Sequence, residues 1–348
     1  MAQTLQLDGN GDYGLDAKVR ALRDVATYPE APRAVEARET HMSWVFLTDD
    51  HAYKLKKPVR YDFLDFSTLE KRRVDCEEEV RLNRRLAPEV YLGTVALTID
   101  ENSVIRLGGD GTPIEWLVKM RRLPEMHMLD RRIRRGNIAS AEMRRVALRL
   151  ADFYRHCAPI RIDAPGYCRR FADAIELNRR ELSRPEFDLP AAIVANAYAA
   201  QFTFLARERA LLEARVAAGR IVEGHGDLRP EHICLAPEPV VIDCLEFSYE
   251  LRTVDPADEL AFLAMECAYL GAPGPGELLA STCLAAIGDA PPPALVAFYK
   301  LFRATMRARL AIWHVHELVR DDWPKWQQSA RAYLALADEY ARTLSASG

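Results

Sequence analysis

Seven cysteines stand singly along the 348-residue sequence, and no two form a Cys-x-x-Cys pair. The odd count and the wide spacing speak against a disulfide framework and against structural zinc. A reduced, cytoplasmic protein is expected. No apolar run approaches the length of a bilayer-spanning helix, so no membrane is expected as a partner. The first residues, MAQTLQLDGNGDYGLDAK, lack both a basic segment and an apolar one, so no secretory leader is expected. A basic surplus is missing too. Lys and Arg number 47 against 51 Asp and Glu, a net charge of −4, which weighs against nucleic acid as a partner. Internal repeats and low-complexity tracts are also absent. What is present is ample apolar material, 49% of the residues, enough for real cores in a chain long enough for two domains.

Patterning divides the chain. Residues from Leu15 to Tyr28 read as a short amphipathic helix that ends at YPEAP. Alternation in SWVFL and HAYKLK, with TDD between them, predicts a hairpin, and an earlier strand at AVEAR is open. Ser67 to Ala87 is helix-like, with Ser67 as N-cap and Glu70 completing a capping box. VYLGTVALTI, SVIRLGG and PIEWLVKM then read as strands. After Leu123–Pro124 the period changes from two to 3.6. Ile138–Cys157, Arg169–Leu182 and Pro190–Ala218 read as long helices, and helices resume from Pro256. The expected organisation is an N-terminal helical segment over 1–32, an antiparallel sheet with one long helix over 33–122, and a mostly helical part over 123–348. The fold class is α+β.

One stretch interrupts the second part. HGDLRPEHICL, His225 to Leu235, sets a carboxylate between two imidazoles, and PVVID ends in a second carboxylate, Asp243. Two acidic residues at loop and strand ends suit metal-assisted phosphoryl transfer. One orients an acceptor hydroxyl and the other holds a divalent cation on phosphates. A turn aspartate and a strand-end cap account for the same pattern equally well.

Further residues carry a resemblance. HGDLRPEHICL, VVIDCLEF and VDPADELAFL resemble the catalytic segment of the aminoglycoside phosphotransferase-like, kinase-fold family. ETHMSWVFL, AYKLKKPV, LDFSTLEKRR and VKMRRLP extend the likeness over nearly the full chain. They resemble above all a bacterial branch of that family that is sometimes fused to a P-loop ATP-binding domain. No G-x-x-x-x-G-K-[ST] occurs here, so a chain without the fused domain is expected. The resemblance implies a two-lobed protein-kinase-like fold with ATP held between the lobes. It does not imply an aminoglycoside as substrate.

The resemblance also implies roles. Lys54, in Ala-x-Lys, meets the α- and β-phosphates, with Lys56 on the same strand face as the runner-up. A helical glutamate pairs with that lysine. Of Glu77, Glu78 and Glu79, the last is favoured because it lies one and two turns before the apolar Leu82 and Leu86. Thr40, His41 and Ser43 occupy the turn that covers the phosphates, where no glycine-rich loop stands; ordinary turn chemistry explains them equally. Backbone groups from Met120 to Leu123 meet adenine. Asp227 is the catalytic carboxylate and His225 fixes its loop. Asp243 is the metal ligand, for Mg²⁺ or Mn²⁺.

His232 departs from the usual pattern, because asparagine commonly stands five residues after the catalytic aspartate. Imidazole suits a hard cation poorly. Three readings stay open: a softer ion, contact through water, or a weakly catalytic site. Glu246 reads either as an extra ligand or as a loop cap. The helix with Arg303, Arg307 and Arg309 reads either as a substrate-facing wall or as a partly exposed amphipathic helix, the second being slightly preferred. The functional expectation is an ATP-dependent phosphotransferase acting on a hydroxyl of a small molecule. The alternatives are a nucleotide-sensing module with little catalysis and a kinase-fold enzyme acting on protein. The absence of an A-P-E signature disfavours an ordinary protein kinase.

Overall fold

Alternating side chains build the hairpin that starts the sheet. The structure, a computed structural model, describes residues 13–61, 64–317 and 323–346. Residues 1–12 of the expected N-terminal segment lie outside them. One compact unit takes the described residues up to Glu125 together with Val240–Tyr249. The other takes Met126–Pro239 and the described residues from Glu250 onward. The sequence reading placed the whole of 225–246 in the helical part, whereas the structure groups residues 240–249 with the sheet. The reason is apolar: Val240 and Ile242 pack against the cluster of Val118, Val90 and Met120.

In the first unit, α1 (Leu15–Arg23) is followed by β1 (Glu36–Glu39), β2 (Ser43–Leu47) and β3 (His51–Lys56). Two short strands, β4 (Arg60–Tyr61) and β5 (Leu64–Asp65), lead to α2 (Leu69–Asn83). Then come β6 (Tyr91–Ile99), β7 (Ile105–Leu107), β8 (Thr112–Arg121) and, much later, β11 (Val240–Val241). Six strands form one sheet in the order β1-β2-β3-β8-β6-β7, and every pairing is antiparallel. Thr48 closes the β2–β3 hairpin, its hydroxyl accepting the His51 N–H at 3.2 Å. α2 packs on β8 and β6.

The cap of α2 is Thr68, not Ser67. The Thr68 hydroxyl accepts the Lys71 N–H at 3.3 Å. Ser67 is drawn away, its hydroxyl donating to Asp65 at 2.5 Å. The helix starts one residue later than a Ser67 cap would set it.

The second unit is helical: α3 (Leu129–Arg134), α4 (Ser140–His156), α5 (Ala164–Leu182), α6 (Ala191–Arg207) and α7 (Arg209–Ala217) precede the short strands β9 (Val222–Glu223) and β10 (Ile233–Cys234). After α8 (Tyr249–Arg252) and β12 (Thr253–Val254) come α9 (Pro256–Tyr269), α10 (Pro273–Ala286), α11 (Pro293–Trp313) and α12 (Trp323–Ala346). α5 begins five residues before the expected Arg169, because the Asp163 side chain caps it through the Gly166 N–H at 2.7 Å. The helix read over 190–218 is two helices that part at Glu208, and nothing in Arg207-Glu208-Arg209 explains the break. α9 and α11 are buried along most of their length.

Two of the three α11 arginines correct the expectation of partial exposure, while Arg307 is partly exposed as expected. Arg303 and Arg309 are buried, Arg303 forking onto Asp258 at 2.8 Å and Arg309 donating to Asn178 at 2.7 Å. The buried Arg303 guanidinium is tolerated because Asp258 pairs with it, whereas Arg309 Nη1 is buried without a hydrogen-bond partner. No helix among the described residues is long and apolar enough to cross a membrane.

Candidate functional site

The first unit gathers charge at the end of β3. The strand period sends Lys54 and Lys56 to one face, and α2 meets them there. Lys54 Nζ is 2.9 Å from Glu79 Oε1 and 2.9 Å from Asp243 Oδ1. Lys56 Nζ is 2.7 Å from Glu79 Oε2 and 2.6 Å from Asp75 Oδ2, and it also meets Glu246 Oε1. Of the three consecutive glutamates Glu77, Glu78 and Glu79, the last is the one that faces the lysines. Glu77 pairs with Arg73 and Glu78 with Arg81 on the outer face.

The Lys56 and Glu79 side chains are fully buried, whereas the Asp243 side chain is 46% exposed. Burial opposes the charge on Lys54, but Asp243 and Glu79 outweigh it and hold the ammonium well above the usual lysine range. Lys56 is held up likewise, against burial, by Glu246 and Glu79. Burial pushes the Glu79 carboxyl up, against the two lysines.

Asp243 sits at φ 62°, in the left-handed region that a non-glycine residue rarely adopts. Two hydrogen bonds hold that backbone. The Asp243 N–H donates to the Tyr91 hydroxyl at 3.0 Å, and the Cys244 N–H to Asn83 Oδ1 at 2.8 Å. The bend presents a half-exposed carboxylate beside Lys54. Ala52, Met120, Val45, Leu123 and Ile242 belong to one apolar cluster of this unit, and Met120 lies opposite Ala52 in the β3–β8 register.

The β1–β2 turn is tight. The Thr40 hydroxyl donates to the Ser43 carbonyl at 2.9 Å and accepts the Ser43 N–H at 3.0 Å. Ser43 is buried, and His41 is exposed and stacks on Tyr61 at 5.4 Å.

The second unit holds the other expected residues. His225 is fully buried, and its Nδ1 accepts the Asp227 N–H at 3.3 Å. The loop is gripped from α9 by Glu259, also fully buried. Its carboxylate accepts the His225 N–H at 3.1 Å, the Gly226 N–H, and the Tyr154 hydroxyl at 2.7 Å. Gly224 has no room for a side chain, since a Cβ would stand 2.6 Å from Glu259 Oε2 and 2.5 Å from Val254 Cγ2.

Asp227 lies 3.0 Å from the Arg229 guanidinium. Burial would raise its carboxyl, but the Arg229 guanidinium, with Arg307, holds it below the usual carboxylate range. Such a group stays ionised near neutrality. His232 directs Nδ1 to the Asp227 carbonyl oxygen at 2.9 Å, with Nε2 3.4 Å from Arg229 Nη2.

Sequence reasoning did not single out Arg229, Glu259, Tyr91 or Asn83, whose parts depend on neighbours distant in the chain. Among the described residues, no three His, Cys, Asp or Glu side chains gather to hold a metal ion by themselves. Asp243 has the donor chemistry for a hard cation whose other ligands come from phosphates and water.

No family model matches the chain. Proteins of Mycobacterium tuberculosis and Mycobacterium bovis, both described as uncharacterised, are 34% identical over 279 residues. The match covers 79% of this chain and 54% of theirs, so this chain spans about half the length of the curated relatives it matches. Among solved structures, a choline/ethanolamine kinase family protein from Mesorhizobium loti superposes with a TM-score of 0.54 at 16% identity, over 94% of this chain and 98% of its own. Choline kinase from Cryptosporidium parvum gives 0.53 at 11% identity, over 94% and 97%. The chain has the kinase-like fold of these choline/ethanolamine kinase structures, as the resemblance in its sequence implied.

Proposed function

We propose that the chain is an ATP-dependent phosphotransferase acting on a hydroxyl of a small molecule. The observation that carries this reading is Lys54, bridged between buried Glu79 and half-exposed Asp243. A lysine kept charged and fixed by a helical glutamate is suited to the α- and β-phosphates. The apolar group of Val45, Ala52, Met120, Leu123 and Ile242 suits an adenine ring. The choline and ethanolamine kinases of the same fold, by their names, support a small acceptor.

In this reading Asp227 orients the acceptor hydroxyl and receives its proton. The freed oxygen forms a bond to the γ-phosphorus while the bond from that phosphorus to the β,γ-bridging oxygen breaks. The electron pair leaves on ADP. A lowered carboxyl is a weak base, so orientation outweighs proton removal until late in the transfer, in keeping with a loose transition state. His225 and Glu259 keep the Asp227 loop in place. A Mg²⁺ or Mn²⁺ ion on Asp243 would neutralise phosphate charge.

The test is calorimetric titration of the purified chain with ATP, with each metal, beside ATP-consumption assays over a panel of small alcohols and amino alcohols. Asp227→Asn should lower transfer by roughly 10²–10⁴-fold and leave ATP affinity close to wild type. Asp243→Asn should weaken metal–nucleotide binding itself. Failure to bind ATP with either metal would sink the reading.

A further inference from the structure

The position five residues after Asp227 is where a second cation would look for a ligand, and His232 stands there. The geometry turns it to another use. Its Nδ1 lies 2.9 Å from the Asp227 carbonyl oxygen. A carbonyl only accepts, so Nδ1 carries a proton and the lone pair of the neutral ring is on Nε2. That nitrogen is 3.4 Å from Arg229 Nη2. A guanidinium only donates, and a doubly protonated ring would set one N–H against another.

The same Nη2 is 3.0 Å from Asp227 Oδ2, and Nη1 is 2.6 Å from Glu231 Oε1. The carboxylate and the imidazole lone pair that could converge on a metal ion thus converge on Arg229. The Arg229 Nε–H is buried without a hydrogen-bond partner. An unpaired buried donor calls for a reason. Here both Nη atoms are held by acceptors, so the side chain cannot turn to satisfy Nε without releasing Asp227 or Glu231.

We propose, resting on the phosphotransferase reading, that Arg229 fills the place of a second metal ion with a fixed positive charge. The nucleotide-loaded chain then binds a single divalent cation, and His232 is a positioning residue that ties the Pro230–His232 turn to the Asp227 backbone. A guanidinium keeps its place at any metal concentration, so this side of the site does not depend on free cation. Asparagine at position 232 would present an oxygen, but Arg229 would still exclude the ion.

The experiment counts manganese by electron paramagnetic resonance on protein saturated with a non-hydrolysable ATP analogue, with saturation confirmed separately by calorimetry. Wild type should hold one Mn²⁺ per nucleotide. His232→Asn should also hold one, with an unchanged Mn²⁺/Mg²⁺ preference. Arg229→Met combined with His232→Asn should gain a second. Two ions in wild type, or a second ion in His232→Asn alone, would overturn the inference. So would a folded double variant that still holds one. The wild-type and His232→Asn counts decide the matter if the double variant fails to fold. Absence of nucleotide binding is a different result, and it overturns the phosphotransferase reading and this inference together.

Discussion

Lys54 and Lys56 lie two residues apart on one strand face, but their surroundings differ. Lys56 is sealed among Asp75, Glu79 and Glu246, with no exposed side-chain surface. Lys56→Met would leave three carboxylates crowded without their cation. Breaking a buried ion pair from one side costs about 3–5 kcal/mol. A loss of that order in urea-unfolding free energy is expected. Lys54→Met should cost less stability and more ATP affinity. Equal stability losses in the two variants would count against this division. Asp75 gives a pH signature. Burial above all pushes its carboxyl from 3.8 to about 6, against the pull of Lys56. Between those values the unfolded chain has released the proton and the folded chain still holds it. Stability contributed by this group therefore falls as pH rises through the window, and the full penalty, at most about 3 kcal/mol, remains above it. Asp75→Asn should raise the urea midpoint at pH 7.5 and leave it nearly unchanged at pH 4. A wild-type midpoint equally far below the variant at both values would refute the assignment.

Thr68→Ala should destabilise by about 1 kcal/mol through loss of the α2 cap, and Ser67→Ala by less; thermal unfolding of the two variants checks the order. Glu259→Gln sets an amide N–H₂ against backbone donors of the Asp227 loop. It should lower the turnover number with little change in ATP affinity, since ATP is read by other side chains in this scheme. A variant with altered ATP affinity and normal turnover would contradict it. These elements also mark what the sequence makes legible. The Lys54–Glu79 pair was implied by the family resemblance, and helical spacing, a local rule, picked Glu79 from its neighbours Glu77 and Glu78. The β2–β3 hairpin and the strands of the sheet were legible because strand alternation is a local rule too. Ser67 and Thr68 are adjacent hydroxyls, and the choice between them falls to Asp65, which captures Ser67. Arg303 read as partly exposed because arginine on a helix usually is; its partner Asp258 lies 45 residues away. Arg229 and Glu259 had no local signal, because a charge acquires its part only from the groups the fold sets around it.

The chain spans about half the length of the curated relatives it matches. The sheet unit is itself assembled from two stretches of chain, one ending at Glu125 and the other running from Val240 to Tyr249. Lys54 and Asp243 are 189 residues apart. Loop closure over that separation is entropically costly and slow. A nascent chain that has emerged only to Glu125 carries both lysines and Glu79, but neither Asp243 nor Glu246. Its charge cluster has two cations to two carboxylates, Asp75 and Glu79, and lacks the aspartate assigned to the metal. On the proposed phosphotransferase reading, nucleotide competence on the ribosome is thus a late event, delayed until the intervening segment has been made. Pulsed hydrogen exchange during refolding should show β3 and α2 gaining full protection in the same phase as residues 240–249. Full protection of β3 in an earlier phase would mean that the sheet closes on its own, with Asp243 arriving at a finished surface.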